Sequence, residues 1–100
     1  MSDITQRIEK WAEDRNLIDG SDPKSQLLKT MEELGELAKA VNKNDVPEIV
    51  DGIGDVVVTL VIIAAQFELD FDLCIESAYK EIKDRKGRMV DGVFIKEGDE

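Results

Sequence analysis

An all-α fold follows from three features of the sequence. Apolar residues recur at three- and four-residue spacing through most of the first 86 positions. Clusters of turn-forming residues interrupt that pattern at residues 16–23, 42–47 and 68–72. The one run with strand-like composition, residues 56–65, has no comparable second run to pair with. Four helices result, in one domain spanning residues 1–100, with residues 87–100 as an extended C-terminal tail.

The first helix is expected over residues 2–16, with Ser2 as its cap and Ile4, Ile8, Trp11 and Ala12 as its apolar stripe. Asp22 followed by Pro23 starts the second, which runs to Asn42 and carries Leu27, Met31, Leu34, Leu37, Ala38 and Val41. Gly35 inside it lowers helix propensity and points to a close approach there. Asp45 and Glu48 have capping-box spacing around Pro47, so a third helix is expected over residues 46–68. That helix is apolar nearly all round, and a four-helix monomer of 100 residues covers such a helix poorly. The expectation is therefore a homo-oligomer joined through the third helix. A fourth helix, capped by Asp70 or Asp72, is expected to reach Lys86 and stop at Gly87. The tail alternates apolar and polar residues around Asp91-Gly92, the pattern of a small hairpin or an extended arm.

The formal net charge of -10 opposes binding to nucleic acid polymers and to anionic membranes. The absence of His removes the commonest zinc ligand and general base. Cys74, the one cysteine, allows no internal disulfide and reads as a small core residue of a reduced protein. The N-terminal residues show no apolar signal region, and the run at 56–65 is too short to span a bilayer. Together these features point to a cytoplasmic protein.

Two acidic clusters flank the connection at residues 42–47: Glu32, Glu33 and Glu36 before it, Glu48, Asp51 and Asp55 after it. The step of about 100° per residue puts each cluster on one arc of its helix. An antiparallel pair can aim both arcs at one point, where like charges persist only around a cation or in water. Mg²⁺ takes such hard oxygen ligands and bridges them to phosphates. A solvated acidic helix face has the same spacing. Lys29 shares the arc of Glu33 and Glu36. Lys80, Lys83, Arg85, Lys86 and Arg88 form a basic cluster that either receives phosphates or complements a helix dipole. Trp11 either stacks on a base or fills the core.

The stretches QLLKTMEELGELAKAV and EIVDGIGDVVVTLVIIAAQFELD resemble the MazG-type nucleoside triphosphate pyrophosphohydrolases. The tail, AYKEIKDRKGRMVDGVFIKE, is similar to the small single-domain members of phages and bacteria. The resemblance implies an all-α four-helix core, a homodimer or homotetramer, and Mg²⁺ (with Mn²⁺ as a substitute). It further implies hydrolysis of a nucleoside triphosphate between the α- and β-phosphates, giving a monophosphate and pyrophosphate. Residue by residue, Glu33 and Glu36 match the first acidic pair and Asp55 the last aspartate. Gly52 stands where the family usually has glutamate, so Asp51 is assigned as the fourth carboxylate, with Glu48 outside it. Lys80 replaces a usual asparagine. Lys83, Arg85 and Lys86 match the basic stretch, and with Lys29 and Trp11 make up the expected substrate contacts. The alternatives are a phosphoribosyl-ATP or dCTP/dUTP pyrophosphatase and a non-catalytic acidic interaction protein.

Overall fold

The computed structural model describes residues 3–99, so Ser2 lies outside the described residues. In chain order it contains α1 (Asp3–Asp14), α2 (Pro23–Asn42), α3 (Val46–Gln66), α4 (Phe71–Ile82), β1 (Gly87–Val90) and β2 (Val93–Lys96). The α2–α3 hairpin is the frame. α1 and α4 both pack on α3.

Three aspartates start these helices. The Asp22 carboxylate accepts the backbone N–H of Ser25 at 2.9 Å and its hydroxyl at 2.9 Å. Asp45 accepts from the N–H of Glu48 at 3.3 Å, and Asp70 from that of Asp72 at 2.9 Å. Asp72 instead accepts from the Thr5 hydroxyl at 3.4 Å, which ties α4 to α1. Asp22→Ala is expected to lower the melting temperature by a few degrees at neutral pH. The Ser25 N–H, and after it the Ser25 hydroxyl, hold the Asp22 carboxyl below its ordinary value of 3.8. The cap's contribution is therefore complete above that value and lost as pH falls through the lowered one. Melts in acid should erase the difference between variant and wild type.

The seam between α2 and α3 is not the most apolar stripe of either helix. On α2 the residues withdrawn from solvent are Gln26, Thr30, Glu33, Leu37 and Ala40, spaced four, three, four, three. On α3 the residues withdrawn at the matching spacing are Ile49, Gly52, Val56, Thr59 and Ile63, while Val57, Val58, Val61, Ile62, Ala64, Ala65 and Gln66 are withdrawn from solvent on other sides. Thr30 meets Thr59, and seven residues on, Leu37 meets Gly52 seven residues back. The pair is antiparallel and keeps one register over two turns. The stripe at Leu27, Met31, Leu34 and Val41 stays exposed, as does the one at Val46, Val50, Ile53 and Leu60. In an antiparallel pair, the residue following each seam position lies on one side of the hairpin and the residue preceding it on the other. Both apolar stripes therefore share one face. Glu32, Glu36, Glu48, Asp51 and Asp55 share the opposite one.

Several expectations are corrected here. The stripe of α1 is rotated: Thr5 and Ala12 are buried, whereas Ile4 and Trp11 are exposed. Gly35 has open space around it, and the close helix approach falls at Gly52 instead. Cys74 is exposed on α4, not in the core. α4 ends at Ile82, four residues before Lys86, and Gly87 opens a strand rather than ending a helix. The tail forms the hairpin, with Val90 paired to Val93 across Asp91-Gly92. Those two residues have φ of 50° and 81°, the left-handed pair that a tight two-residue hairpin turn requires.

Within the chain the core is small. Among the described residues the buried hydrophobic side chains are Ala12, Ala40, Val61, Ile62 and Ala64. The radius of gyration is 16.1 Å, against about 13 Å for a compact chain of this length. The accessible surface is 7562 Å², about 1,900 Å² more than a folded monomer of this size exposes.

Candidate functional site

Asp55 lies on the exposed acidic side of α3, where two cavities adjoin. One, of about 400 Å³, is lined by Lys29, Glu33, Gln26, Thr59, Trp11 and Asp55, among others. The other, of about 510 Å³, is lined by Ile4, Arg7, Ile8, Trp11, Asp55 and Val58. Trp11, Asp55 and Val58 belong to both, so the two form one groove with a charged end and an apolar end.

The register of the hairpin places the two acids. Counted from Thr30–Thr59 and Leu37–Gly52, Glu33 stands level with Val56, one residue from Asp55. Glu33 is a seam residue whose side chain is only 18% exposed, so its carboxylate is held at the groove wall. Lys29, one turn earlier, places its Nζ 3.4 Å from Glu33 Oε1 and 3.7 Å from Glu32 Oε2. The charge of Glu32, and then the bond to Glu33, raise the Lys29 ammonium above its ordinary value. Lys29 is thus the counter-charge of Glu33 in this chain. α1 supplies the apolar wall. The Arg15 guanidinium lies 4.6 Å from the Trp11 ring centroid, and its Nη1 donates to the Trp11 carbonyl at 3.2 Å.

The remaining acids do not join them within one chain. Glu36 and Glu48 line a separate cavity with Lys39, Lys43 and Asp45. Asp51 is exposed one turn before Asp55. Among the described residues no three His, Cys, Asp or Glu side chains gather closely enough to hold a metal ion. Arg85 and Lys86 line another cavity with Glu81, Asp84, Lys96 and Glu97, which shares no residue with the groove. Lys83 is the C-cap of α4. Arg7, Ser25, Val58 and Thr59 line the groove and were not foreseen in the sequence. Arg7 precedes Trp11 by one turn, and Val58 and Thr59 follow Asp55 by one turn. Helical spacing alone thus pointed to all three once their neighbours were chosen.

Gly52 stands where the resemblance implies a glutamate. It is buried in the seam, and a Cβ there would lie 3.0 Å from Leu37 Cδ1 and 3.3 Å from Leu37 Cβ. Position 52 faces α2, not the groove. Gly52→Glu, which restores the usual residue, is expected to destabilise by about 3 kcal/mol or more through overpacking and an unpaired buried charge. Chemical denaturation followed by circular dichroism checks this; a variant as stable as wild type would show that position 52 opens to solvent.

The family model of the MazG nucleotide pyrophosphohydrolase domain matches residues 21–93. The match starts beside the Asp22 cap and takes in both acidic flanks, but leaves out α1. The chain is 49% identical over 73 residues to an uncharacterised 18.2 kDa protein from the rep–hol intergenic region of Haemophilus phage HP1 (strain HP1c1). That alignment covers 70% of this chain and 45% of the phage protein, so the chain spans less than half of that relative. No solved structure matches. On the match over residues 21–93, with four helices in the order described, the chain belongs to the MazG nucleotide pyrophosphohydrolase domain family.

Proposed function

We propose that this chain is a Mg²⁺-dependent nucleoside triphosphate pyrophosphohydrolase whose site is the groove along α2, α3 and α1. The observation that carries the reading is the groove itself. Lys29 and Glu33 stand at one end, Ile4 and Ile8 with Arg7 line the other, and Asp55, Trp11 and Val58 lie where the two meet. A nucleotide has the same polarity, with phosphates at one end and a flat apolar base at the other.

The donor set fits a divalent cation. Mg²⁺ is commonly held by one or two carboxylates together with water and substrate phosphates, so two acids from rigid helices suffice. Mn²⁺ accepts the same hard donors. Glu33 and Asp55 would hold the ion, with Glu36 and Asp51 one turn away on each helix and Glu48 beyond them. When bound, the cation neutralises phosphate charge and activates water. Lys29 exchanges Glu33 for a phosphate oxygen and supplies positive charge to the leaving pyrophosphate. A carboxylate not engaged with the ion takes the proton of the attacking water. The α–β anhydride bond breaks, giving a nucleoside monophosphate and pyrophosphate. Trp11 stacks on the base.

The same reading includes a homo-oligomer. The excess surface of about 1,900 Å² exceeds the roughly 800 Å² that each partner buries in a standard interface. The shared apolar face of α2 and α3 is where a second copy fits. Lys83, Arg85 and Lys86, none of which lines the groove of its own chain, contact phosphates from a neighbouring copy. No helix among the described residues is long and apolar enough to cross a membrane; the reading sets the protein on cytoplasmic nucleotides.

The test is pyrophosphate release from a panel of nucleoside and deoxynucleoside triphosphates with Mg²⁺, with Mn²⁺ and with chelator. Release that needs the cation is expected. Phosphoribosyl-ATP in the panel separates that related activity. No turnover with any nucleotide, together with cation-independent nucleotide binding, would leave a non-catalytic acidic binding module.

A further inference from the structure

Among the described residues, one side-chain hydrogen bond joins α2 to α3 across their seam. The hydroxyls of Thr30 and Thr59 lie 2.8 Å apart, and both residues are 5% exposed. Thr59 Oγ1 is also 2.7 Å from the Val56 carbonyl, and Thr30 Oγ1 is 3.0 Å from the Gln26 carbonyl. Each hydroxyl has one proton to give. Thr59 donates to Val56, and Thr30 donates to Thr59 with the Gln26 carbonyl alongside. The bond from Thr59 to the Val56 carbonyl fixes the direction of its hydroxyl, leaving its oxygen to accept from Thr30.

Burial does not require these oxygens. The flanking seam residues are Val56 and Ile63 on α3 and Gln26 and Glu33 on α2, the latter two lining the groove, and valine has the shape of threonine. Two apolar surfaces tolerate small sliding, whereas a hydroxyl pair is satisfied in one register. The place of the pair gives that register a purpose. Glu33 follows Thr30 by three residues, about 4.5 Å along α2, and Asp55 precedes Thr59 by four, about 6 Å along α3. Because the helices are antiparallel, both steps lead the same way, to the charged end of the groove.

We infer that the Thr30–Thr59 bridge is a register latch. It holds Glu33 and Asp55 at the relative height and spacing at which one divalent cation is shared between them. The threonines are positioning residues, and the inference rests on the proposed cation site.

The experiment uses wild type, Thr59→Val, the Thr30→Val/Thr59→Val double variant and Thr59→Ser. Each is titrated with MgCl₂ alone by calorimetry, melted without metal, and assayed for pyrophosphate release. Thr59→Val is expected to weaken Mg²⁺ binding about tenfold, the low end for removing a group that orients metal ligands. The double variant should be no weaker than the single, because both remove the same bond. Both should melt within a few degrees of wild type. Thr59→Ser keeps the hydroxyl and loses a methyl, so it should melt lower yet bind Mg²⁺ as wild type does. Valine variants with wild-type Mg²⁺ affinity would overturn the latch. So would affinities that fall in step with melting temperature in all three variants, since that is the signature of packing alone. A wild type that binds Mg²⁺ but cleaves no nucleotide overturns the proposed activity and leaves the latch to be judged by the titrations. A wild type that binds no Mg²⁺ alone overturns the latch, and the activity is then judged by pyrophosphate release with and without the cation.

Discussion

Asp55→Asn is expected to abolish pyrophosphate release while leaving the metal-free protein at least as stable as wild type. Asp55 is the acid of α3 that lines both halves of the groove, and Glu33 is its counterpart on α2. The amide keeps the shape and removes the charge that a hard cation needs. Loss of a group merely supporting a metal ligand costs about 10–100-fold, so loss of the ligand itself should exceed that in both affinity and turnover. Stability should move the other way or not at all, because Asp55 is exposed and stands in an acidic face. Asp51→Asn should reduce turnover less, and Glu48→Gln less again. If Glu48 is the true second ligand on α3, the order of those two variants reverses. Mg²⁺ titration, steady-state kinetics and melts with and without metal decide the matter. An Asp55→Asn protein that binds Mg²⁺ and turns over normally would place the reaction elsewhere.

The second large effect is expected from charge on the apolar face. Leu34→Glu and Ile53→Glu each put a carboxylate in a stripe that is exposed within one chain. Each should lower the mass in sedimentation at micromolar concentration and lower the melting temperature with it. The two effects are coupled because little core exists without a second copy: α4 has no buried residue. Leu28→Glu is the control. It is exposed too, but on the back of α2, away from both seam and stripe. A wild-type protein that sediments as a stable folded monomer would remove the basis for an interface on this face. Should Leu28→Glu halve the mass of a larger particle, the assembly is a tetramer with a second interface on that side.

What the sequence disclosed and what it hid divide along local and relational lines. The starts of α2 and α3 were legible because an aspartate cap and a proline in the first turn act within a few residues. The hairpin turn at Asp91-Gly92 was legible as one of two options for the same reason. Helix type was legible for residues 46–66 despite their β-branched composition, because the polar residues upstream kept helical spacing. The facing of α2 was not. Leu27, Met31, Leu34 and Val41 are its most apolar positions, and hydrophobicity marks surface to be buried without saying by which molecule. The seam instead took Thr30, Glu33, Leu37 and Ala40. For the site, spacing put Glu33 and Glu36 on one arc, but convergence also depends on how two helices are rotated about their axes. That rotation admitted Glu33 beside Asp55 and sent Glu36 to a different cavity. Trp11 was ambiguous between core and ligand wall because α1's own stripe does not reveal which of its flanks stays open.

The short connection between α2 and α3 acts as a measuring rod. Only residues 43–45 separate the two helices, with Asn44 in the left-handed region at φ 54°. Every pairing in the seam is counted outward from that bend. A residue added there and taken up into α3 rather than absorbed by the bend would carry α3 past α2 by about 1.5 Å and turn it by about 100°. Thr59 would leave Thr30, Gly52 would leave Leu37, and Asp55 would rotate away from Glu33. The entropic cost of a longer loop is small, so the bend can tolerate length as far as folding is concerned. Under the proposed cation site, a bend this short leaves few residues to absorb an insertion before the pairing of Glu33 with Asp55 changes.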